Sequence, residues 1–164
     1  MTTTTSGTAK VTLPADNQIL ITREFNAPRH LVWKAYTTPD LVKRWWAGQR
    51  GNVTSAEIDL RVGGRWRYVM TADGGFEVVF RGEYRAIEAP ERVVNTEVFE
   101  GLPDPDDHVG LITVTFTEAG GRTSMELLCE YRDRADRDAV LESGMEGGMQ
   151  QSMDALEIVA ASLT

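Results

Sequence analysis

The chain has 164 residues, of which 41% are hydrophobic and 26% charged, and its formal net charge is −8 at pH 7. This length fits one domain, and the acidic balance disfavours nucleic acid or an anionic membrane as a partner, because either would require a basic face. The single cysteine, Cys129, excludes an internal disulfide and predicts a cytoplasmic protein.

The first residues, "MTTTTSGTAK", are polar and lack the apolar segment of a signal peptide or membrane anchor. We therefore expect residues 1–16 to form a disordered tail and residues 17–164 to form one domain. The run "QILITREF" then alternates and is the first predicted strand, with Ile19, Ile21 and Phe25 on one face. Two short helices are predicted in "PRHLVWKAYT" and "TPDLVKRWW", each with a proline at its first turn.

After Gly48 the apolar residues recur with a period of two, which predicts about six further strands. In the clearest run Phe76, Phe80 and Tyr84 share one face, and "LITVTFTEAGGRTSMELLCEY" is a predicted hairpin. From about residue 135 to 163 the period is helical and predicts one long helix. This order predicts an α+β fold with one antiparallel sheet.

A twisted sheet of about seven strands curls, and one helix cannot fill its concave side. The helix presents flexible methionines together with Gly144, Gly147 and Gly148, which suits the adaptable wall of a hydrophobic cavity. The alternative is that the methionines fill an irregular core. The residues predicted to line the cavity are Trp46, Trp66, Tyr68, Met70, Phe76, Phe80, Tyr84, Phe99, Phe116, Met145, Met149 and Met153.

Four stretches carry a family resemblance: "FNAPRHLVWKAYTTPDLVKRWW", "IDLRVGGRWRYVM", "FRGEYRAIEAPERVV" and "GMEGGMQQSMDALE". From about Gln18 to Leu163 the chain resembles the SRPBCC (START-like, birch-pollen-allergen-like) superfamily. Within it, the chain resembles the branch homologous to the C-terminal domain of the activator of heat-shock-protein ATPase. The resemblance implies a helix-grip fold, in which a curved antiparallel sheet and a long C-terminal helix enclose a hydrophobic cavity. Members bind lipids, sterols or polyketides, act as cyclases or hydrolases, or assist a chaperone in the stress response.

The strand around Glu97 admits two orientations. The resemblance implies that Glu97 points inward, whereas the apolar pattern favours Val94, Thr96 and Val98 inside and Glu97 in water. In the first orientation desolvation would raise the pKa of Glu97, which makes it the candidate catalytic acid or base. Its candidate hydrogen-bond donors are Tyr68, Tyr84 and His108.

No other motif indicates chemistry, since the chain lacks a phosphate-binding loop, a nucleophile elbow and a Cys/His pair. His30 and His108 lie far apart, so we predict no metal site and no cofactor. Three functions remain, ranked in this order: binding of a small apolar molecule, assistance to a chaperone, and catalysis on a hydrophobic substrate. The sequence leaves open whether the protein is an enzyme, and whether it is a monomer or a homodimer.

Overall fold

The structure is a computed structural model that describes residues 2–4 and 8–163. Within these residues the chain forms nine strands, four α-helices and one short 3₁₀ helix, Pro105–Asp107. The strands are β1 Thr2–Thr4, β2 Lys10–Leu13, β3 Gln18–Phe25, β4 Gly51–Ile58, β5 Arg65–Ala72, β6 Glu77–Glu88, β7 Arg92–Phe99, β8 Gly110–Ala119 and β9 Arg122–Glu130. The helices are α1 Arg29–Thr37, α2 Pro39–Trp45, α3 Arg134–Glu142 and α4 Met145–Ala161.

The described strands form one antiparallel sheet in the order β1-β2-β3-β9-β8-β7-β6-β5-β4. Strands β3 to β9 are the predicted set, and β1 and β2 extend the sheet beyond β3. Val11 on β2 pairs with Ile21 on β3, and Ala9 and Val11 are both fully buried. The predicted disordered tail is therefore wrong for residues 2–4 and 10–13, which form β1 and β2, whereas residues 1 and 5–7 lie outside the described residues.

The inner face of the sheet is the face that the helices cover. Antiparallel pairing places Ile21, Leu127 and Val114 side by side on this face, as the alternation of each strand predicts. The largest fully buried side chains include Phe25 and Phe116 from the sheet and Leu156 from α4. The predicted α+β helix-grip architecture is confirmed, with two more strands than expected.

The predicted single C-terminal helix is wrong at Gly144, which separates α3 from α4. Gly144 has a φ of 82°, and this left-handed conformation cannot continue a right-handed helix. Helix α3 begins after Asp133, whose carboxylate accepts a 2.8 Å hydrogen bond from the Asp136 backbone N–H. The two segments can therefore take different directions over the sheet.

Helix α4 is fastened to the β2–β3 side of the sheet by polar contacts. The side-chain amide of Gln150 accepts a hydrogen bond from the Ala9 N–H at 3.0 Å and donates one to the Ala9 carbonyl at 2.7 Å. Arg23 on β3 is 6% exposed and pairs with Asp154 at 2.8 Å and Glu157 at 3.3 Å. These contacts fix the height and rotation of the helix above the inner face.

Candidate functional site

Strand β7 turns Glu97 toward the helices. Asn95 pairs with Ile112 and Glu97 pairs with Gly110 on β8, which places both β7 side chains on the inner face. The orientation that the family resemblance implies is therefore present, and the one that the apolar pattern favours is wrong. Val94 and Val98 are buried on the outer face, so their burial does not mark the inside of the sheet.

On one side of Glu97, a glycine on β6 leaves room for the Trp66 ring. By the register of the flanking pairs, Gly82 occupies the inner-face position next to Glu97. A Cβ at Gly82 would lie 1.9 Å from the Thr96 carbonyl oxygen and 2.6 Å from Trp66 Nε1. The missing side chain lets the Trp66 indole pass over β6 and donate a 3.1 Å hydrogen bond to that carbonyl.

On the other side of Glu97, a glycine on β8 leaves room for the Tyr131 ring. Gly110 lies between Glu97 on β7 and Tyr131 just beyond β9, and a Cβ there would lie 3.2 Å from the Tyr131 ring. Tyr131 lies close to Cys129, and each of these side chains shifts the pKa of the other. Glu97 is thus flanked by two glycines, with the rings of Trp66 and Tyr131 packed against them.

The Glu97 carboxyl has an unusual electrostatic environment. Protein surrounds it, and this burial raises its pKa to about 7. Its side chain nevertheless keeps some accessible surface and is only half-buried. Among the described residues it has no hydrogen-bond or ion-pair partner.

Four tyrosines in this part of the core have perturbed pKa values, and three of them lie near the Glu97 carboxyl. Burial raises the pKa of Tyr36, Tyr68, Tyr84 and Tyr131 above the ordinary phenol value, and the nearby Glu97 charge raises it further for all but Tyr84. These hydroxyls are therefore protonated at neutral pH and can donate hydrogen bonds. Burial also raises the pKa of the Cys129 thiol, so it is not a thiolate nucleophile.

Five of the residues predicted to line a cavity form one aromatic cluster. The Trp46 ring meets Tyr68 at 5.4 Å and Phe80 at 5.5 Å, both edge to face. Phe80 stacks on Phe99 at 5.0 Å, and Trp66 lies 4.8 Å from Tyr68. Trp46, which ends the second helix region, is therefore bound to β5 and β6 rather than free at the surface.

The helix side of the site contains methionines but not the predicted glycines. Met145 and Met149 are half-buried against the core, and Met153 is buried. Gly148 instead faces Arg50, because a Cβ there would lie 2.4 Å from the guanidinium Nη1. Gly148 therefore serves the packing of Arg50 against α4 and does not enlarge the inner space.

Three predicted lining residues lie elsewhere. Phe76 is 61% exposed in the turn at Gly75, so its predicted inward position is wrong. Met70 belongs to a separate small cluster. Phe116 is fully buried beneath Tyr36, 5.7 Å from its ring, and is a core residue.

Sequence reasoning missed Tyr36 and Tyr131 as members of the site. Tyr131 continues the inward alternation of β9, and Tyr36 lies on the apolar stripe of α1, so both patterns contained the signal. His108, a predicted donor to Glu97, instead pairs with Asp136 on α3 at 2.9 Å and lies outside the site.

Two surface pockets have linings that do not include Glu97. One runs beside β2, β3 and β9, and its lining includes Lys10, Arg23 and Glu157. The other lies on the outer face over β5 to β7, where Arg81 pairs with Glu100 at 2.9 Å. Both mix positive and negative side chains, so neither presents one charge to a partner.

Within residues 2–4 and 8–163, no three His, Cys, Asp or Glu side chains come together as a metal site. In the same residues no helix has both the length and the apolar character needed to cross a membrane. Glu97 has a pKa of about 7, so its carboxyl can exchange a proton near neutral pH, accept hydrogen bonds or pair with a cation. The surrounding phenols add neutral donors.

Comparison with solved structures shows the same fold in bacterial proteins. Protein Ms6760 from Mycobacterium smegmatis is 28% identical, with a TM-score of 0.80 over 99% of this chain and 98% of that one. A Rhodobacter sphaeroides protein is 24% identical, with a TM-score of 0.86 over 95% of this chain and 99% of that one. An Arthrobacter aurescens protein is 25% identical, with a TM-score of 0.82 over 93% and 91% of the two chains.

No curated protein matches the chain. Residues 26–161 match the family model described as activator of Hsp90 ATPase homolog 1-like protein, which spans α1 to α4 and most of the sheet. The chain therefore belongs to the activator of Hsp90 ATPase homolog 1-like family.

Proposed function

We propose that this protein binds a small ligand, with an apolar body and one polar group, between the inner face of the sheet and helices α1 and α4. The observation that carries the proposal is the Glu97 carboxyl, which is surrounded by protein, keeps accessible surface and lacks a partner among the described residues. The surrounding protein desolvates this carboxyl, which raises its pKa. A ligand that supplies a hydrogen-bond or ion-pair partner would compensate for the lost solvation.

The partial exposure of apolar side chains on the inner face also supports a ligand site between the sheet and the helices. Leu127 lies in the middle of the inner face between Ile21 and Val114, which are 2% and 0% exposed, yet Leu127 is half-buried. Met145 and Met149 on α4 are half-buried as well. Residues that keep accessible surface on a face covered by helices are expected to border an internal space, and methionine adapts to ligands of varied shape.

The first test fills the proposed space from the helix side. Nile red, an apolar fluorescent probe, is titrated into the wild type and into Met149→Trp, which adds a large indole at a half-buried position of α4. We expect saturable binding by the wild type and a loss of about tenfold or more in affinity, or ~1.4 kcal/mol, in the variant. The matched control is Ile158→Trp, which adds the same side chain at a 70% exposed position of the same helix.

Two results would contradict the proposal: a wild type that does not bind the probe, or equal affinities in Met149→Trp and Ile158→Trp. Circular dichroism and the unfolding midpoint of each variant establish that both are folded. A further measurement identifies natural ligands, because mass spectrometry of a solvent extract of the purified protein would detect a molecule retained by the wild type and lost from Met149→Trp.

Activation of a chaperone ATPase is the second candidate function, and the description of the family favours it. Such an activity would use an exposed surface, whereas ligand binding uses the inner face. The assay is the ATPase rate of the host's heat-shock ATPase with and without this protein. Equal stimulation by the wild type and Met149→Trp would favour the second candidate, and no stimulation would remove it.

A further inference from the structure

The charge inside the site is unbalanced. Glu97 is a carboxyl on the inner face of the sheet, and no Lys, Arg or His among the described residues pairs with it. Arg23, the arginine on the inner face of β3, is already engaged by Asp154 and Glu157. The groups that do face Glu97 come from α1, β5 and the end of β9, and they are all neutral when protonated: Tyr36, Tyr68, Cys129 and Tyr131.

The walls near this carboxyl are aromatic. Trp66 and Tyr68 lie 4.8 Å apart, and Trp46 joins Tyr68 to Phe80. The face of an aromatic ring attracts a cation, most strongly in tryptophan, and the attraction is larger in a desolvated site. An unpaired carboxyl beside several rings is therefore complementary to an organic cation.

We infer that the ligand is an amine, whose ammonium group pairs with Glu97 while its apolar body lies among the aromatic side chains and methionines. This inference rests on the proposed function, since it names the polar group of that ligand. A carboxylate ligand would put two negative charges together in a poorly solvated space. A carbonyl ligand would require Glu97 to stay protonated as a donor, and it would leave the attraction of the rings for a cation unused.

The experiment uses three probes of similar shape and different charge. 1-Naphthylmethylamine is a cation at pH 7, 1-naphthylmethanol is neutral and 1-naphthoic acid is an anion. Isothermal titration of the full-length protein with each probe is expected to give at least about tenfold tighter binding of the amine than of the alcohol, and weaker binding of the acid. Because binding of the ammonium keeps Glu97 ionised, amine binding at pH 7 should release about half a proton, measured from titrations in buffers of different ionisation enthalpy.

The Glu97→Gln variant separates this inference from the proposed function. We expect this variant to bind the amine no more tightly than the alcohol, and to release no proton when the amine binds. If the alcohol binds the wild type as tightly as the amine does, the amine inference is wrong and the proposed function stands. Proton uptake with a preferred acid or alcohol would likewise overturn the inference. If none of the three probes binds a wild type that does bind Nile red, the amine inference is wrong and the proposed function stands; if Nile red does not bind either, both proposals fail.

Discussion

The raised pKa of Glu97 predicts how the free energy of unfolding depends on pH. The folded protein holds this proton with a pKa of about 7, whereas the ordinary value of 4.5 applies to the unfolded chain. Between these values the folded state binds more protons than the unfolded state, so stability decreases as pH rises through this window and is constant for this group above it. At about 1.4 kcal/mol for each tenfold change in proton affinity, the ionised carboxylate costs the fold about 3 kcal/mol.

Replacing Glu97 by glutamine removes the titration and keeps the shape of the side chain. We expect Glu97→Gln and the wild type to have similar free energies of unfolding at pH 4.5, and the variant to be more stable by about 3 kcal/mol at pH 8. Urea unfolding followed by tryptophan fluorescence at pH 4.5, 6, 7 and 8 measures the difference, and other titrating groups cancel between the two proteins.

The matched control for this prediction is Glu126→Gln, which changes an exposed carboxyl on the outer face of β9. The reasoning requires a pH-dependent difference from the wild type in Glu97→Gln that this control variant does not reproduce. Parallel stability profiles for the wild type and Glu97→Gln would refute the reasoning, because they would mean that Glu97 ionises as easily in the folded protein as in the unfolded chain.

Three further substitutions test the packing, each by its unfolding midpoint and free energy in urea. Gly82→Ala should destabilise the protein by about 2 kcal/mol, because the new Cβ would lie 1.9 Å from the Thr96 carbonyl oxygen. An unchanged unfolding midpoint would mean that the Trp66 ring does not cross this position. Gly147→Ala should stabilise by about 0.5–1 kcal/mol, since nothing lies within 4 Å of its added Cβ and glycine weakens a helix interior; a lower midpoint would contradict the described exposure. Leu156→Ala should cost about 2–5 kcal/mol at a fully buried position, whereas Ile158→Ala, exposed on the same helix, should change stability by less than ~0.5 kcal/mol.

The sequence predicts which side chains lie on the inner face of the sheet wherever one face of a strand is apolar and the other is polar. The hairpin of β8 and β9 is the clear case, since Val114 and Leu127 pair as the alternation predicts. Strand β7 is buried on both faces near Val94 and Val98, so its alternation pointed the wrong way. Only the pairing with β8 fixes the direction of Glu97, and that pairing joins distant parts of the chain.

The site itself depends on tertiary partners that no local pattern contains. Gly82 on β6 and Gly110 on β8 belong to the site because they flank the Glu97 carboxyl on β7. Neither glycine is in a turn, so its position in the sequence does not indicate this role. Gly148 drew attention on the helix, but its neighbour is Arg50 from the loop before β4. Local sequence predicts which residues can pack, whereas strand register and helix rotation decide what each one meets.

Two hydrogen bonds join the Gln150 side-chain amide to the backbone N–H and carbonyl of Ala9, as an adjacent strand would. The β1–β2 hairpin is thereby anchored to the helix as well as to β3, and it shields the backbone of β3 from a second molecule. A shortened chain that starts after β2 would expose hydrogen-bonding groups beside Leu20, Ile21 and Thr22, which is the kind of surface that recruits another strand. Recombinant versions that begin after β2 are therefore expected to self-associate through this edge, and the loss of solubility would arise at β3 rather than at the site around Glu97.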